Sequence, residues 1–174
     1  MTTLALMTLL ASSAEGSTLE CNYQVENCWH ENNVYTCHGD FQLDEDEHTV
    51  QSVTGNHTTR KTNSDVRILY INEQNLAFVP SGVSRFYPNL EGFELNNNTI
   101  QILTRDGFKG LTKLNKIAFR SNLITAIDSF IFIENPNIQW IDFSQNPLKH
   151  IGAFAFSNLK SPRTLCLMSA NCVD

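Results

Sequence analysis

The sequence LNKIAFRSNLITAI at residues 114–127 decides the fold, because the same pattern occurs again on both sides of it. Its apolar residues and one asparagine hold fixed positions: Leu114, Ile117, Phe119, Asn122, Ile124 and Ile127. A shift of 24 residues toward either end finds the same pattern, at residues 90–103 and at residues 138–151. A fixed period of this length predicts stacked, nearly identical coils, each of which contacts only its neighbours.

A fourth and less regular coil precedes these three. Residues 66–89 have Leu69 and Ile71 in phase with the later strand positions, but Gln74 stands where the other coils have asparagine. A partial unit starts at Pro162 and has Ala170 at that position. We therefore predict four repeats over residues 66–161 and a partial repeat, or C-terminal cap, over residues 162–174. We interpret Gln74 and Ala170 as marks of the two ends of the stack.

Each coil should contain one short strand and one tight turn. Side chains at the fourth and sixth positions point inward, so successive strands lie parallel and form a curved sheet on the concave side. The repeat asparagine enters the turn, where its amide can pair with backbone N–H and C=O groups that would otherwise be buried alone. The predicted structural ladder consists of Asn98, Asn122 and Asn146.

The pattern L-x-x-L-x-L-x-x-N-x-L resembles the leucine-rich repeat. The whole chain is similar to the short secreted leucine-rich-repeat proteins of insects, in its cysteine-containing hairpin (residues 21–37), its segment at residues 78–90 and its terminal residues 171–174. The resemblance implies an α/β solenoid, namely a short horseshoe with a parallel concave sheet and a β-rich N-terminal cap. It also implies a protein-binding module, in some relatives one for innate recognition.

The first residues resemble a secretion signal. An apolar run, LALMTLLA at residues 4–11, lies close to Met1 and is followed by small residues. We predict a signal peptide over residues 1–16, an N-terminal cap over residues 17–65, and a secreted, extracellular product. No later segment has 18 unbroken apolar residues, so we expect no membrane insertion.

The five cysteines all lie in the two end regions of the chain. Disulfides there would hold the caps that a repeat stack needs. The candidate pairs are Cys21 with Cys37 and Cys166 with Cys172, while Cys28 is left free, paired differently or linked to a second copy, so that a homodimer stays open. A metal site of Cys28 and Cys37 with His30 and His38 lacks the second C-x-x-C of a zinc site, and we predict no metal.

Charge and motifs exclude several functions. The net charge is −6 and there is no basic cluster, so we expect no nucleic-acid partner. No sequence motif of a nucleophile, a metalloprotease or a phosphate-binding loop occurs, so we expect no enzyme activity and no cofactor.

The strand register points to a binding surface. Residues between the inward positions project from the concave face, and those with interface-forming side chains are Tyr70, Glu94, Arg120, Trp140 and Asp142. We predict a secreted binding module for a protein, with a glycan or microbial ligand as alternative partners. The alternative functions are assembly of an extracellular complex and a soluble decoy of a receptor ectodomain. Two sequons predict glycosylation at Asn56 and Asn97.

Overall fold

The computed structural model describes residues 16–42 and 48–167, together with the backbone of residues 172–173. All but the last residue of the predicted signal peptide therefore lies outside the described residues, as does Ala170.

Two long antiparallel strands form the N-terminal cap, β1 (Thr18–Cys28) and β2 (Glu31–Gln42). The first half of β1 alternates buried and exposed residues, as a sheet with one face on the core requires. A disulfide between Cys21 and Cys37 joins them, as predicted. A third strand, β3 (Ser52–Thr54), pairs in parallel with the first residues of β1.

Eight further short strands follow in the described part of the chain. They are β4 (Ile68–Tyr70), β5 (Gly92–Glu94), β6 (Lys116–Ala118), β7 (Ala126–Ile127), β8 (Trp140–Asp142), β9 (His150–Ile151), β10 (Thr164–Cys166) and β11 (Cys172–Val173).

One nine-stranded sheet runs from the cap to the end of the stack, in the order β11-β10-β8-β6-β5-β4-β2-β1-β3. Strands β4, β5, β6, β8 and β10 are parallel, and each residue pairs with the residue 24 positions further along. The cap belongs to the same sheet because β2 pairs in parallel with β4, with Cys37 opposite Leu69. The cap and the repeats therefore share one continuous concave surface.

The core is a column of side chains inside the coils. The middle residue of each repeat strand points inward, and Leu69, Phe93 and Ile117 are fully buried. Phenylalanines fill the space toward the convex side, where the rings of Phe108 and Phe132 meet at 5.0 Å between centroids. Close packing of this kind makes truncation of a buried ring costly, about 3–5 kcal/mol.

The convex side has short 3-10 helices at Asn63–Asp65, Val83–Arg85 and Arg105–Gly107. Within the described residues, the helical part of the predicted α/β solenoid consists of these single turns, and no α-helix occurs. A repeat of this length accommodates either kind of helix opposite its strand. None of the helices in the described ranges is long and apolar enough to cross a membrane.

Candidate binding surface on the concave sheet

A column of side-chain amides holds the turns that follow the strands. The Nδ2 of Asn98 donates to the carbonyl of Ile71 at 2.8 Å, and its Oδ1 accepts from the backbone N–H of Leu76 at 3.2 Å. Asn122 and Asn146 donate to the equivalent carbonyls, also at 2.8 Å. Each amide thus bonds to the coil before its own and fixes the end of the strand against it.

Gln74 continues this column into the cap. Its Oε1 accepts from the backbone N–H of Phe41 at 2.8 Å, and its Nε2 donates to the carbonyl of Gly39. Gln74 therefore stands where the repeat stack meets the cap, and its side chain joins the two. The glutamine side chain is one methylene longer than asparagine, and it reaches the last residues of β2.

The sequence analysis missed a second, more exposed column of amides. The Oδ1 of Asn72 accepts from the backbone N–H of Asn96 at 2.7 Å, and the Oδ1 of Asn96 accepts from the N–H of Arg120 at 2.9 Å. The spacing of 24 residues between these asparagines was the available signal. This column fixes the backbone of Arg120, whose exposed guanidinium donates from Nε to Gln145 at 3.0 Å.

The five predicted contact residues all lie on or beside the concave strands. Tyr70, Glu94 and Asp142 lie in one row across the sheet, in register with each other through Ala118. A second row on the same face lies two residues earlier in each strand. It contains Ile68, Gly92, Lys116, Trp140 and Thr164. Arg120 follows the end of β6.

The turn of the cap hairpin folds over part of this face. We call residues 28–31 the hairpin tip. The Trp29 side chain lies on the backbone of Gly92, where a Cβ would overlap with its ring atoms Cζ3 and Cη2. The Nζ of Lys116 lies 4.7 Å from the centroid of the Trp29 ring and 3.4 Å from the Trp29 carbonyl oxygen. Glu31 adds an ion pair to Lys116 at 3.7 Å.

Two of the predicted contact residues are covered as a result. Tyr70 stacks on His38 of β2, with 4.6 Å between ring centroids, and lies 6.5 Å from the ring of Trp29. The sequence analysis expects Tyr70 and Glu94 to be open to a partner, whereas the hairpin tip and β2 cover them. No pattern within the repeats predicts this cover, because it comes from the cap.

Burial changes the acidity of these covered groups. The pKa of Glu94 is raised to about 7, chiefly by burial; hydrogen bonds from Trp29 and Asn96 oppose the change, and the carboxylates of Asp142 and Glu26 add to it. The pKa of Tyr70 is also raised, chiefly by burial and then by the nearby Glu94. A neutral Glu94 is therefore well populated at neutral pH.

The rest of the concave face lies beyond these contacts, and we call it the open half: the exposed Arg120 and the half-buried Trp140, Asp142 and Thr164. A cavity of about 390 Å³ lies between the hairpin tip and this surface, lined by Trp29, His30, Lys116, Trp140 and Thr164. Asp142 is partly engaged, since its Oδ1 accepts from the backbone N–H of Ser144 at 2.8 Å. The open half thus combines an indole and a guanidinium group on a rigid sheet.

The remaining cysteines are at the ends of the sheet. Cys166 is disulfide-bonded, and Cys172 lies opposite it in the β10–β11 pair, although the Cys172 side chain is outside the described residues. Cys28 is free and half-buried, and burial raises the pKa of its thiol, with a hydrogen bond to Tyr70 opposing the change. Because Cys37 is in a disulfide, it offers no thiolate to the metal site considered above.

Both predicted glycosylation sites are exposed. Asn56 follows Gly55 in the loop after β3. Asn97 has a left-handed backbone with φ of 56°, and its side chain donates to Glu73 at 3.4 Å. The neighbouring Asn98 points into the ladder, so the two adjacent asparagines face in different directions.

Comparisons with known proteins identify relatives of part of the chain. A family model described as BspA type leucine rich repeat region matches residues 84–171 in six copies, which is half of the chain. Leucine-rich repeat-containing G-protein coupled receptor 5 of Xenopus tropicalis is 41% identical over 63 residues, covering 36% of this chain and 7% of the receptor. Leucine-rich repeat-containing G-protein coupled receptor 4 of Mus musculus is 35% identical over 66 residues, covering 38% and 7%.

The chain therefore spans only a small part of the length of these receptors. Among solved structures, the crystal structure of a TLR13-ssRNA13 complex matches with a TM-score of 0.49 and 18% identity. That match covers 54% of this chain and 14% of the other.

Proposed function

Because this chain belongs to the BspA-type leucine-rich-repeat family, we propose that it is a secreted recognition module that binds a protein partner through the open half of its concave face. Repeat folds of this kind present a curved, preformed surface, which lowers the entropic cost of binding. The proposal names a surface and a class of partner, and it assigns no catalytic step to the chain.

The observation that carries this proposal is the position of Trp140 and Arg120. Both residue types dominate the binding energy of protein interfaces. Trp140 borders the cavity beside the hairpin tip, and the backbone of Arg120 is held by the second amide column. The two side chains therefore stand on a rigid support, with Arg120 exposed and Trp140 half-buried.

Two further features support secretion. The disulfide between Cys21 and Cys37 is of the kind that persists in oxidising compartments. Asn56 and Asn97 are exposed within sequons, and glycans at both would be compatible with the fold. Expression with the native leader in a secretory host, followed by intact mass before and after deglycosylation, tests both points. Retention of the protein in the cell fraction would contradict secretion.

The binding surface is tested by matched alanine variants against a partner found by screening a panel of extracellular proteins. We expect Trp140→Ala and Arg120→Ala each to weaken binding about tenfold or more. Phe154→Ala is the matched control, because Phe154 is an aromatic residue that is 53% exposed and lies outside the concave rows. If Phe154→Ala weakens binding while Trp140→Ala does not, the concave assignment is wrong.

A second candidate function is assembly of an extracellular complex, and one observation favours it. Phe130 and Phe154 are both exposed and stack at 5.1 Å between ring centroids, next to the exposed Ile133. Apolar side chains grouped on a surface often mark a contact with another protein. Sedimentation over a range of concentrations tests this function: a Phe154→Glu variant should remain monomeric where the unmodified protein associates.

A further inference from the structure

We infer that the concave sheet contains an acceptor site for an indole side chain, that Trp29 of the same chain occupies it, and that the partner presents a tryptophan to this site. We call Gly92, Ile68, Tyr70, Lys116 and Glu94 the indole site. The inference rests on the proposed function, because it names the chemistry by which a protein partner would engage the concave face.

The floor of the indole site is a position without a side chain. Gly92 lies in the second concave row, where its neighbours across the sheet are Ile68 and Lys116. Only hydrogen at this position leaves room for the Trp29 ring, since a Cβ would overlap with two of its atoms. The result is a notch in the sheet with the depth of a single side-chain atom, bounded on one side by an aliphatic group.

The polar groups of the notch match an indole. A cation near the face of an aromatic ring is attracted by its quadrupole, most strongly for tryptophan, and the Nζ of Lys116 is 4.7 Å from the ring centroid. The indole N–H is a donor with no acceptor counterpart, and the hydrogen bond of Trp29 that lowers the pKa of Glu94 puts that carboxyl group beside the indole. Phenylalanine could use the floor and the cation but not the carboxyl group.

Trp29 occupies the indole site although the turn that carries it has an unfavourable backbone conformation. The two-residue turn has φ of 49° at Trp29 and 68° at His30, a left-handed conformation that L-residues with side chains seldom adopt. Asparagine and glycine are the usual residues at such positions. The contacts of Trp29 with the sheet compensate for this strain, and a partner that replaces Trp29 releases it.

The hydrogen bond and the ion pair between the hairpin tip and Lys116 are long. The hydrogen bond from Lys116 to the Trp29 carbonyl is 3.4 Å, and the ion pair with Glu31 is 3.7 Å with an exposed Glu31 side chain. Exposed ion pairs contribute little to stability. A tryptophan from a partner therefore competes with an internal ligand that is weakly held, and binding to the partner is reduced by the fraction of sites that Trp29 fills.

The site is tested with a small probe, N-acetyl-L-tryptophanamide, and three forms of the full chain. We expect Trp29→Ala to bind the probe at least tenfold more tightly than the unmodified protein, as measured by saturable chemical-shift changes. Adding Gly92→Val to Trp29→Ala should abolish that binding by filling the notch. N-acetyl-L-leucinamide should not bind any of the three forms. Equal binding of the tryptophan probe to all three, or none to Trp29→Ala, would overturn the inference.

A second measurement needs no ligand. The chain has two tryptophans, so Trp140→Phe leaves Trp29 as the only indole fluorophore. Its emission should be blue-shifted and protected from acrylamide, and a further Gly92→Ala change should shift it to the red and raise the quenching constant severalfold. Unchanged circular dichroism would show that the fold persists. Identical emission with and without Gly92→Ala would mean that Trp29 does not occupy the notch.

These outcomes are separate from those of the proposed function. If the probe binds Trp29→Ala but Trp140→Ala and Arg120→Ala leave partner binding unchanged, the assignment of partner binding to the open half is wrong. The indole site is then still supported. If Trp140→Ala weakens partner binding but the probe does not bind Trp29→Ala, the assignment of partner binding to the open half is supported and the indole site is wrong.

Discussion

The ammonium group of Lys116 lies over the ring of Trp29, 4.7 Å from its centroid, although 87 residues separate the two in the chain. This pair ties the end of the cap hairpin to the second regular coil of the repeat stack. It divides the concave face into a covered part, under the hairpin tip, and the open half. Any account of binding by this protein has to consider the two parts separately.

Replacing Lys116 should loosen the hairpin tip. Lys116→Met keeps the length of the side chain but removes the cation, and we expect a loss of about 0.5–2 kcal/mol of the tip's docking free energy. The measurement is acrylamide quenching of Trp29 in a Trp140→Phe background, which should increase. Lys113→Met is the matched control, because the exposed Lys113 donates only to Asn89 on another surface, at 2.7 Å. Equal quenching in both variants would contradict the role of Lys116.

Glu94 should make stability depend on pH. Its pKa is raised from 4.5 to about 7 in the folded protein, so the folded state binds more protons than the unfolded state between these values. The contribution of the neutral form is complete below about pH 4.5 and is lost as pH rises through about 7. Glu94→Gln should remove this dependence. From pH 5 to pH 8, the free energy of unfolding of the variant should therefore rise by about 1–2 kcal/mol relative to that of the unmodified protein.

Urea denaturation of both proteins over this pH range measures the difference in the free energy of unfolding. Asp106→Asn serves as the comparison, because the exposed Asp106 lies in the 3-10 helix Arg105–Gly107 and is not among the groups that shift the pKa of Glu94. A difference between Glu94→Gln and the unmodified protein that stays constant with pH would show that Glu94 titrates normally.

Loss of a ladder amide should lower the free energy of unfolding more than loss of an exposed asparagine. Asn122→Ala removes the partners of the Leu95 carbonyl and the Ile100 N–H inside the stack, and unpaired buried groups should cost about 2–4 kcal/mol in total. Asn137→Ala is the control, because the exposed Asn137 makes a hydrogen bond to the Thr112 carbonyl at 2.9 Å near water. It should cost less than about 1 kcal/mol. Equal losses in urea denaturation would argue against the ladder.

The thiol of Cys28 should react slowly with an alkylating reagent. Burial raises the pKa of its thiol, so less of the reactive thiolate is present at neutral pH. We expect alkylation by iodoacetamide at pH 8 to be several times slower than for an unhindered thiol. Trp29→Ala should accelerate it by loosening the tip. A rate equal to that of a free peptide thiol would contradict the covered position of Cys28 beside Tyr70.

The repeats were predictable from the sequence because their period is set by local geometry. Phe93, Ile117 and Ile141 recur every 24 residues since each must fill the same position in the next coil. The parallel concave sheet and the disulfide between Cys21 and Cys37 follow from the same reasoning about stacked coils and exposed ends.

The covered part of the concave face was not predictable in the same way. The contact of Trp29 with Gly92 joins residues without any common period, and the hairpin gives no sign of its direction in the sequence. One signal was present: a tryptophan and a histidine occupy the turn of a hairpin, where asparagine and glycine are usual. A large side chain at such a position indicates a contact elsewhere in the molecule.

The ladder gives the stack a direction. The buried-side bonds of Asn98, Asn122 and Asn146 run to the preceding coil, and those of Gln74 run to β2 of the cap. Removal of coils from the C-terminal end therefore leaves each remaining ladder amide with its partners, whereas removal of the cap deprives Gln74 of both. Removal of a C-terminal coil has a different effect, because Asn122 supplies the partners of the Leu95 carbonyl and the Ile100 N–H in the coil before it. The two ends of the stack therefore differ in what they leave unpaired: a side-chain amide where the cap is lost, and backbone groups where a coil is lost.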